Sequence, residues 1–174
     1  MLRLIQSAVR ETPSSFNSQS SRVVILLGAE HDKYWEEVVL GALKKVTDDE
    51  GFNHAKGRID GFKAAYGTVL FYEDQDTVAG MQEKYAAYKD LFPLWSSHSS
   101  GMAQIHTWTA LELAGYGASL QHYGNLTQEP LSELHSIPKT WKLQSELVFG
   151  SVKAPAGEKT YMSNDERFKI IGAQ

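Results

Sequence analysis

Pro13-Ser14-Ser15-Phe16-Asn17-Ser18-Gln19 is a polar run lodged between two apolar segments. Upstream, Leu2, Leu4, Ile5, Ala8 and Val9 are spaced for a short amphipathic helix. Pro13 ends that helix, because proline disfavours helical backbone in the residue before it. Downstream, Arg22 to Leu27 is short and β-branched, and Gly28 closes it. That pattern predicts a buried strand. The polar run therefore joins a helix to a strand. One reading is a self-contained turn, in which serine and asparagine side chains satisfy their own backbone. The other is a loop aimed at a flat heteroaromatic ring or a phosphate. Asn17 and Gln19 each offer donors and acceptors, which suits the mixed edge of a pyrimidine-like ring, and Ser14 and Ser15 have hydroxyls for a phosphate or its neighbouring oxygens.

The remaining chain continues the alternation. His31 to Val46 carries Tyr34, Trp35, Val38, Val39, Ala42 and Leu43 at helical spacing, with Asp32 as a candidate cap. Thr47 to Lys56 is polar and reads as a loop. Gly67 to Tyr72 predicts a second buried strand, and Asp76 to Asp90 a weaker amphipathic helix. Gly101 to Ala114 is apolar nearly all round, which predicts a helix enclosed on every side. In a chain of 174 residues, contact between subunits is one way to enclose it. Gly115 and Gly117 stop it, Ala118 to His122 suits a short strand, and Leu131 to Leu134 a helical turn. Trp141, Leu143, Ser145 and Leu147 alternate with Lys142, Gln144 and Glu146, predicting a strand whose second face is wetter. Gly150 to Gly157 reads as a linker before a charged tail. Interleaved strands and helices mean α/β or α+β, and periodicity does not choose between them.

Composition narrows the function. Hydrophobic residues make up 42% and charged residues 22%, ordinary for one globular domain spanning 1–174. A net charge of −4 gives no electrostatic case for nucleic acid or for an anionic membrane. The absence of cysteine excludes disulfides, thiolate nucleophiles and cysteine-ligated metals. The six histidines show no paired metal-ligand spacing, so no metal is expected. No apolar run approaches a membrane span, and Met1 to Ile5 lacks the apolar stretch of a signal peptide. The expected location is the cytoplasm.

Several segments carry a resemblance. Pro13 to Gln19, followed by Ser20-Ser21-Arg22 and an apolar strand, is similar to the flavin-contacting loop of the nitroreductase superfamily. Gly61-Phe62-Lys63-Ala64-Ala65-Tyr66-Gly67-Thr68-Val69-Leu70-Phe71 resembles one subgroup of it. So do Ser100-Gly101-Met102-Ala103-Gln104, Trp108-Thr109-Ala110-Leu111-Glu112 and Gly117-Ala118-Ser119-Leu120-Gln121-His122-Tyr123. In this order they look like the nitroreductase-like proteins of the fatty-acid-repression-mutant type, found in yeasts and bacteria.

The resemblance implies an α+β fold with a central, mainly antiparallel sheet flanked by helices. It implies a homodimer with the long helix in the interface and two FMN sites drawing on both chains, with residues 150–174 crossing to the partner. Ser14, Ser15, Asn17 and Gln19 would contact FMN. Gln121, His122 and Tyr123 would lie at its reactive edge, where a backbone N–H at His122 or Tyr123 donates near N5. Lys159 would reach the phosphate as a point charge. Phe92 and Trp95, from an aromatic-rich middle segment, are weaker candidates for the substrate-facing side. No side chain need act as acid or base. NADH or NADPH would reduce the flavin, and a nitroaromatic, quinone or similar small acceptor would reoxidise it in a ping-pong cycle. No Gly-x-Gly-x-x-Gly follows a strand, which fits a transiently stacked nicotinamide. Relatives carry an arginine-rich segment upstream of the serine loop that grips the phosphate, and Arg3 and Arg10 lack its spacing. Phosphate affinity is the expected weak point. The alternative is a degenerate, non-enzymatic flavin-binding dimer with a regulatory or stress-response role.

Overall fold

A computed structural model describes residues 1–172. Helix α1 spans Leu2–Arg10, and a short 3-10 turn at Ser15–Asn17 leads into strand β1, Ser21–Leu27. Helix α2 (Ala29–Lys33) runs through a π-helical stretch at Tyr34–Val39 into α3 (Leu40–Leu43). Then come α4 (Asp49–Lys63), β2 (Gly67–Asp74), α5 (Gln75–Lys84) and a 3-10 turn at Ala86–Tyr88. The chain continues with α6 (Phe92–Leu113), β3 (Tyr116–Gln121), α7 (Gly124–His135), β4 (Trp141–Ser151) and α8 (Asn164–Arg167). No helix among the described residues is long and apolar enough to cross a membrane.

The four strands form one antiparallel sheet in the order β1-β2-β4-β3. Helices cover both faces, so the fold is α+β. Successive β2 side chains serve opposite faces, as the pleat requires. Val69 and Phe71 join Ile5, Ala103, Leu111, Leu147 and Phe149 under α1 and α6. Leu70 and Tyr72 join Tyr34, Trp35, Val39, Ile59, Leu131 and Val148 on the other side. Gly67 is required where β2 starts. A Cβ there would stand 2.5 Å from Leu27 Cδ2 and 2.8 Å from the Leu26 carbonyl oxygen.

The structure corrects several local expectations. β1 is an edge strand and only half-buried, because sheet pairing covers one side of it alone. The helix expected from His31 begins at Ala29, so Asp32 lies inside it and Gly28, at φ 54°, is the cap. Thr47 to Lys56 is mostly helical: Asp48 caps α4 by accepting from the Gly51 N–H. α4 buries only Ile59, so its sequence shows little amphipathic signal. Leu131 to Leu134 is part of the twelve-residue α7. β4 continues to Ser151, into the expected linker.

Two corrections bear on the site. The helix expected at Gly101 starts nine residues earlier, at Phe92, with Pro93 in its first turn. It is not enclosed within one chain. Small side chains at Ser96, Ser99, Ser100, Ala103 and Thr107 face inward with Leu111, while Met102, Ile105 and Leu113 are exposed. The alternation read along β4 also fails. A bulge shifts the register, so that Phe71 pairs with Ser145 but Tyr72 pairs with Leu143. Two β4 residues then oppose one span of β2, and the side chains beyond change faces. Leu143 and Leu147 end in different cores, and Glu146, expected on the wet face, is fully buried.

Candidate functional site

The loop before β1 has an unusual backbone. Phe16, Asn17 and Gln19 all have positive φ, at 53°, 53° and 51°. Left-handed backbone is uncommon outside glycine, costs on the order of 1–3 kcal/mol per residue, and concentrates at functional sites. Three polar anchors hold the loop in this shape. Ser14 Oγ accepts the Gln19 N–H at 2.9 Å. The Arg22 guanidinium donates to the Gln19 carbonyl and pairs with Asp74 at 2.9 Å. At the loop's end, the hydroxyls of Ser20 and Ser21 donate to Glu73, and Ser96 from α6 donates to the same carboxylate. Glu73 is almost completely buried.

With the backbone fixed this way, the carboxamides of Asn17 and Gln19 stand exposed and make no hydrogen bond among the described residues. Their donors and acceptors are available to a ring with a mixed polar edge. Ser14 already accepts one bond, which leaves its hydroxyl hydrogen to donate. A cavity of about 200 Å³ lies against Ser14 and Gln19, with Arg10 and Arg22 also lining it. Phe16 does not line this cavity and is half exposed. Its ring centroid stands 4.5 Å from Tyr85, 5.7 Å from Phe92, 6.0 Å from Tyr88 and 6.1 Å from Trp95. Phe92 is buried under this cluster, while Trp95 and Tyr88 are more open. The open aromatic surface beside the loop is therefore Phe16, Tyr88 and Trp95 rather than Phe92.

The second expected segment ends β3. Gln121 pairs with Glu146 in register, His122 is exposed, and Tyr123 caps α7. β1 begins and β3 ends toward the same end of the sheet. They are three strand positions apart, about 14 Å at the usual spacing. One of the two backbone donors expected near a flavin is already engaged: the Tyr123 N–H donates to both oxygens of Glu146, at 3.0 and 3.2 Å. Tyr34 Oη donates to the same carboxyl at 3.0 Å. No cation pairs with Glu146 among the described residues. Burial pushes its carboxyl up to about 7, although the bonds from Tyr123 and Tyr34 oppose the shift. Burial, and the nearby Glu146, also raise the phenols of Tyr34 and Tyr72.

Lys159 is not brought to either segment. It is exposed in the tail, which leaves β4 at the opposite end of the sheet. Larger hollows, of about 610 and 660 Å³, are lined by none of the expected site residues. No cluster of histidine and carboxylates suits a metal among the described residues. Sequence reading missed Glu73, Arg22 and Glu146. Glu73 and Arg22 tie together the two sides of the β1–β2 pairing through partners about fifty residues away, Ser20, Ser21 and Asp74, and Glu146 lies on an inner strand buried on both faces.

The family model for the nitroreductase family matches residues 1–151. The chain belongs to the nitroreductase family. It is 40% identical over 162 residues, 93% of its length and 79% of the relative's, to the putative nitroreductase HBN1 of Saccharomyces cerevisiae. Over 163 residues it is 37% identical to the nitroreductase FRM2 of the same yeast. The solved nitroreductase CinD of Lactococcus lactis, in complex with chloramphenicol, superposes with a TM-score of 0.90 at 45% identity. That match covers 98% of this chain and 86% of CinD. Family membership makes the chain an oxidoreductase of flavin type, and the subgroup resemblance of the sequence motifs is borne out by FRM2 and HBN1.

Proposed function

We propose that this chain is an FMN-dependent NAD(P)H oxidoreductase that reduces nitroaromatics, quinones or similar small electron acceptors by a ping-pong cycle. The observation that carries the reading is the Phe16–Gln19 loop. Its left-handed backbone is held by Ser14, Arg22 and Glu73, and it presents two unengaged carboxamides at the sheet end where β3 terminates. FMN fits these residues, and when bound it would supply the hydride chemistry. Asn17 and Gln19 would read the polar edge of the ring, with Ser14 and Ser15 on its side chain. His122 supplies the backbone donor near N5, since the Tyr123 N–H is committed to Glu146. Gln121 shapes that turn. Phe16, Tyr88 and Trp95 offer an aromatic surface against which a flat acceptor can stack. CinD, solved with chloramphenicol and with 4-nitrophenol, supports nitroaromatics as the acceptor class.

The working unit in this reading is a cytoplasmic homodimer. Met102, Ile105 and Leu113 on α6 are exposed in the single chain, as are Tyr161, Phe168, Ile170 and Ile171 in the tail. A second copy would cover them, and would carry Lys159 from one chain to the phosphate of the other. The β1 and β3 segments, on opposite edges of one sheet, would then each join a site completed by the partner.

The test is spectroscopic. Purified protein is supplied with FMN and titrated anaerobically with NADH and with NADPH, and then mixed with 4-nitrophenol or a quinone. Bound flavin that bleaches with the nicotinamide and recovers with the acceptor is the expected result. Protein that neither retains FMN nor supports bleaching overturns the proposal and favours the non-enzymatic reading.

A further inference from the structure

Glu146 is a carboxyl fully enclosed by protein, paired with no cation among the described residues, and it sits directly behind the turn assigned to the flavin's reactive edge. The groups that face it are neutral or weakly acidic. The π-helical stretch gives Tyr34, β2 gives Tyr72, and the turn gives Tyr123. Among the described residues the one cation nearby, Arg58 on α4, faces the Tyr123 hydroxyl rather than the carboxyl. Thr127 on α7 completes the enclosure, 3.3 Å from Tyr34 Oη and donating to the Tyr123 carbonyl. The Tyr72 hydroxyl, also buried, has no hydrogen-bond partner among the described residues.

A buried carboxyl surrounded in this way takes or releases its proton according to small changes in local charge. The geometry points to Glu146 as a positioning residue: through the Tyr123 N–H it holds the His122–Tyr123 turn, and by binding one proton from solvent when negative charge arrives on the adjoining flavin it sets how the cofactor's potential varies with pH. This inference rests on the proposed FMN site. The electrons come from the nicotinamide, the proton comes from solvent, and Glu146 passes from carboxylate to carboxylic acid with no bond to the flavin. Burial raises its proton affinity to about 7, which brings proton uptake by this carboxyl into reach of a small change in local charge.

Two measurements decide it. In the flavin-free protein, the amide resonance of Tyr123 is followed by NMR across pH 5 to 9 (a chosen range centred on the value of about 7 for Glu146). The amide should titrate with a midpoint near 7, and the titration should vanish in Glu146→Gln, which retains an acceptor for Tyr123 and Tyr34. In the FMN-bound protein, midpoint potential is measured against pH. The wild-type line should steepen by one proton's slope above neutrality, and Glu146→Gln should lack that segment. Tyr34→Phe, which removes a donor to the carboxylate, should move both breaks to higher pH should Glu146→Gln prove unstable. A Tyr123 amide that does not titrate, or identical slopes in wild type and variants, overturns the inference. Wild-type protein that binds no FMN overturns the flavin reading itself, whereas binding with unaltered slopes removes only the role of Glu146.

Discussion

The hydroxyl of Ser20 donates to the buried carboxylate of Glu73, linking the residue before β1 to the far end of β2. Ser21 and Ser96 donate to the same group, so the loop, β2 and α6 meet at one charge satisfied by hydroxyls. Hydrogen bonds to a charged group are worth about 1.5–3 kcal/mol each. Glu73→Gln replaces one acceptor oxygen with a donor and forces at least one serine to turn away. It should lower unfolding stability in urea by roughly 2 kcal/mol and weaken FMN binding at least tenfold, because the Asn17 and Gln19 carboxamides lose their fixed backbone. Ser96→Ala should reproduce a smaller part of both effects. Unaltered FMN affinity in a destabilised Glu73→Gln would detach this anchor from the site.

On the other face of the sheet, Thr68 stands between two buried rings. Its hydroxyl accepts the Trp35 Nε1–H at 2.9 Å and lies 3.0 Å from His31 Nδ1. His31 Nε2 faces the Lys63 carbonyl at 3.2 Å, which assigns the ring hydrogen to Nε2 and makes Thr68 the donor to Nδ1. Thr68→Val keeps the shape and removes both bonds. Two buried groups then go unpaired, at about 1–3 kcal/mol each, so the variant should lose roughly 2–6 kcal/mol by denaturant titration. Thr68→Ser should stay within about 1.5 kcal/mol of wild type. A Thr68→Val variant as stable as wild type, with the loss confined to Thr68→Ser, would show that the methyl, not the hydroxyl, matters.

Two buried groups tilt stability with pH in opposite directions. The carboxyl of Glu146 is raised by burial from 4.5 to about 7 in the folded chain. The fold therefore holds a proton that the unfolded chain has already released. That contribution is complete below about 4.5 and is lost as pH climbs through 7, by on the order of 3 kcal/mol. His31 is lowered by burial from 6.5, so protonation opposes the fold as pH falls below that value, and its contribution returns as pH rises. Wild type should show a shallow stability maximum on the acid side of neutrality. Glu146→Gln should lose the decline toward pH 7 and leave a curve that rises with pH. A variant curve that still declines between pH 5 and 7 would count against the burial of this carboxyl.

How much of this was legible follows the strength of local pattern. α1 shows in the sequence because its apolar residues recur at a helical period, and β1 and β2 because each is a short run rich in β-branched and apolar residues. α4 does not, since Ile59 is its only buried residue, though the Asp48 cap was there to be read. The true start of α6 was marked by Phe92-Pro93 rather than by hydrophobicity, because serines fill its buried face. The loop at Pro13–Gln19 was found by residue type. Its positive φ values and its anchoring by Arg22 and Glu73 were not, because they depend on contacts with β2 that no local window contains. Glu146 was misplaced for a different reason. A period-2 reading assumes one wet face, whereas β4 is an inner strand buried on both faces from Ser145 to Gly150, and the bulge only sets which core each side chain enters.

Gln19 offers the sharpest separation of stability from function. Its φ of 51° suits glycine and strains glutamine, and its side chain makes no bond within the described chain that would repay the strain. Its backbone is what the fold uses, through the N–H to Ser14 and the carbonyl from Arg22. Gln19→Gly keeps both of these bonds and relieves the left-handed penalty, less the entropy that glycine gives to the unfolded chain. The variant should match or exceed wild-type stability by up to about 1 kcal/mol while binding FMN several-fold more weakly. Gln19→Ala loses the same carboxamide without gaining glycine's freedom, so it should bind equally weakly and be less stable than Gln19→Gly. Thermal unfolding of the flavin-free proteins, beside fluorescence titration with FMN, separates the two effects. Undiminished FMN affinity in both variants would mean that the strained backbone exists for another ligand or for packing against Phe16's aromatic neighbours, and would remove Gln19 from the flavin site.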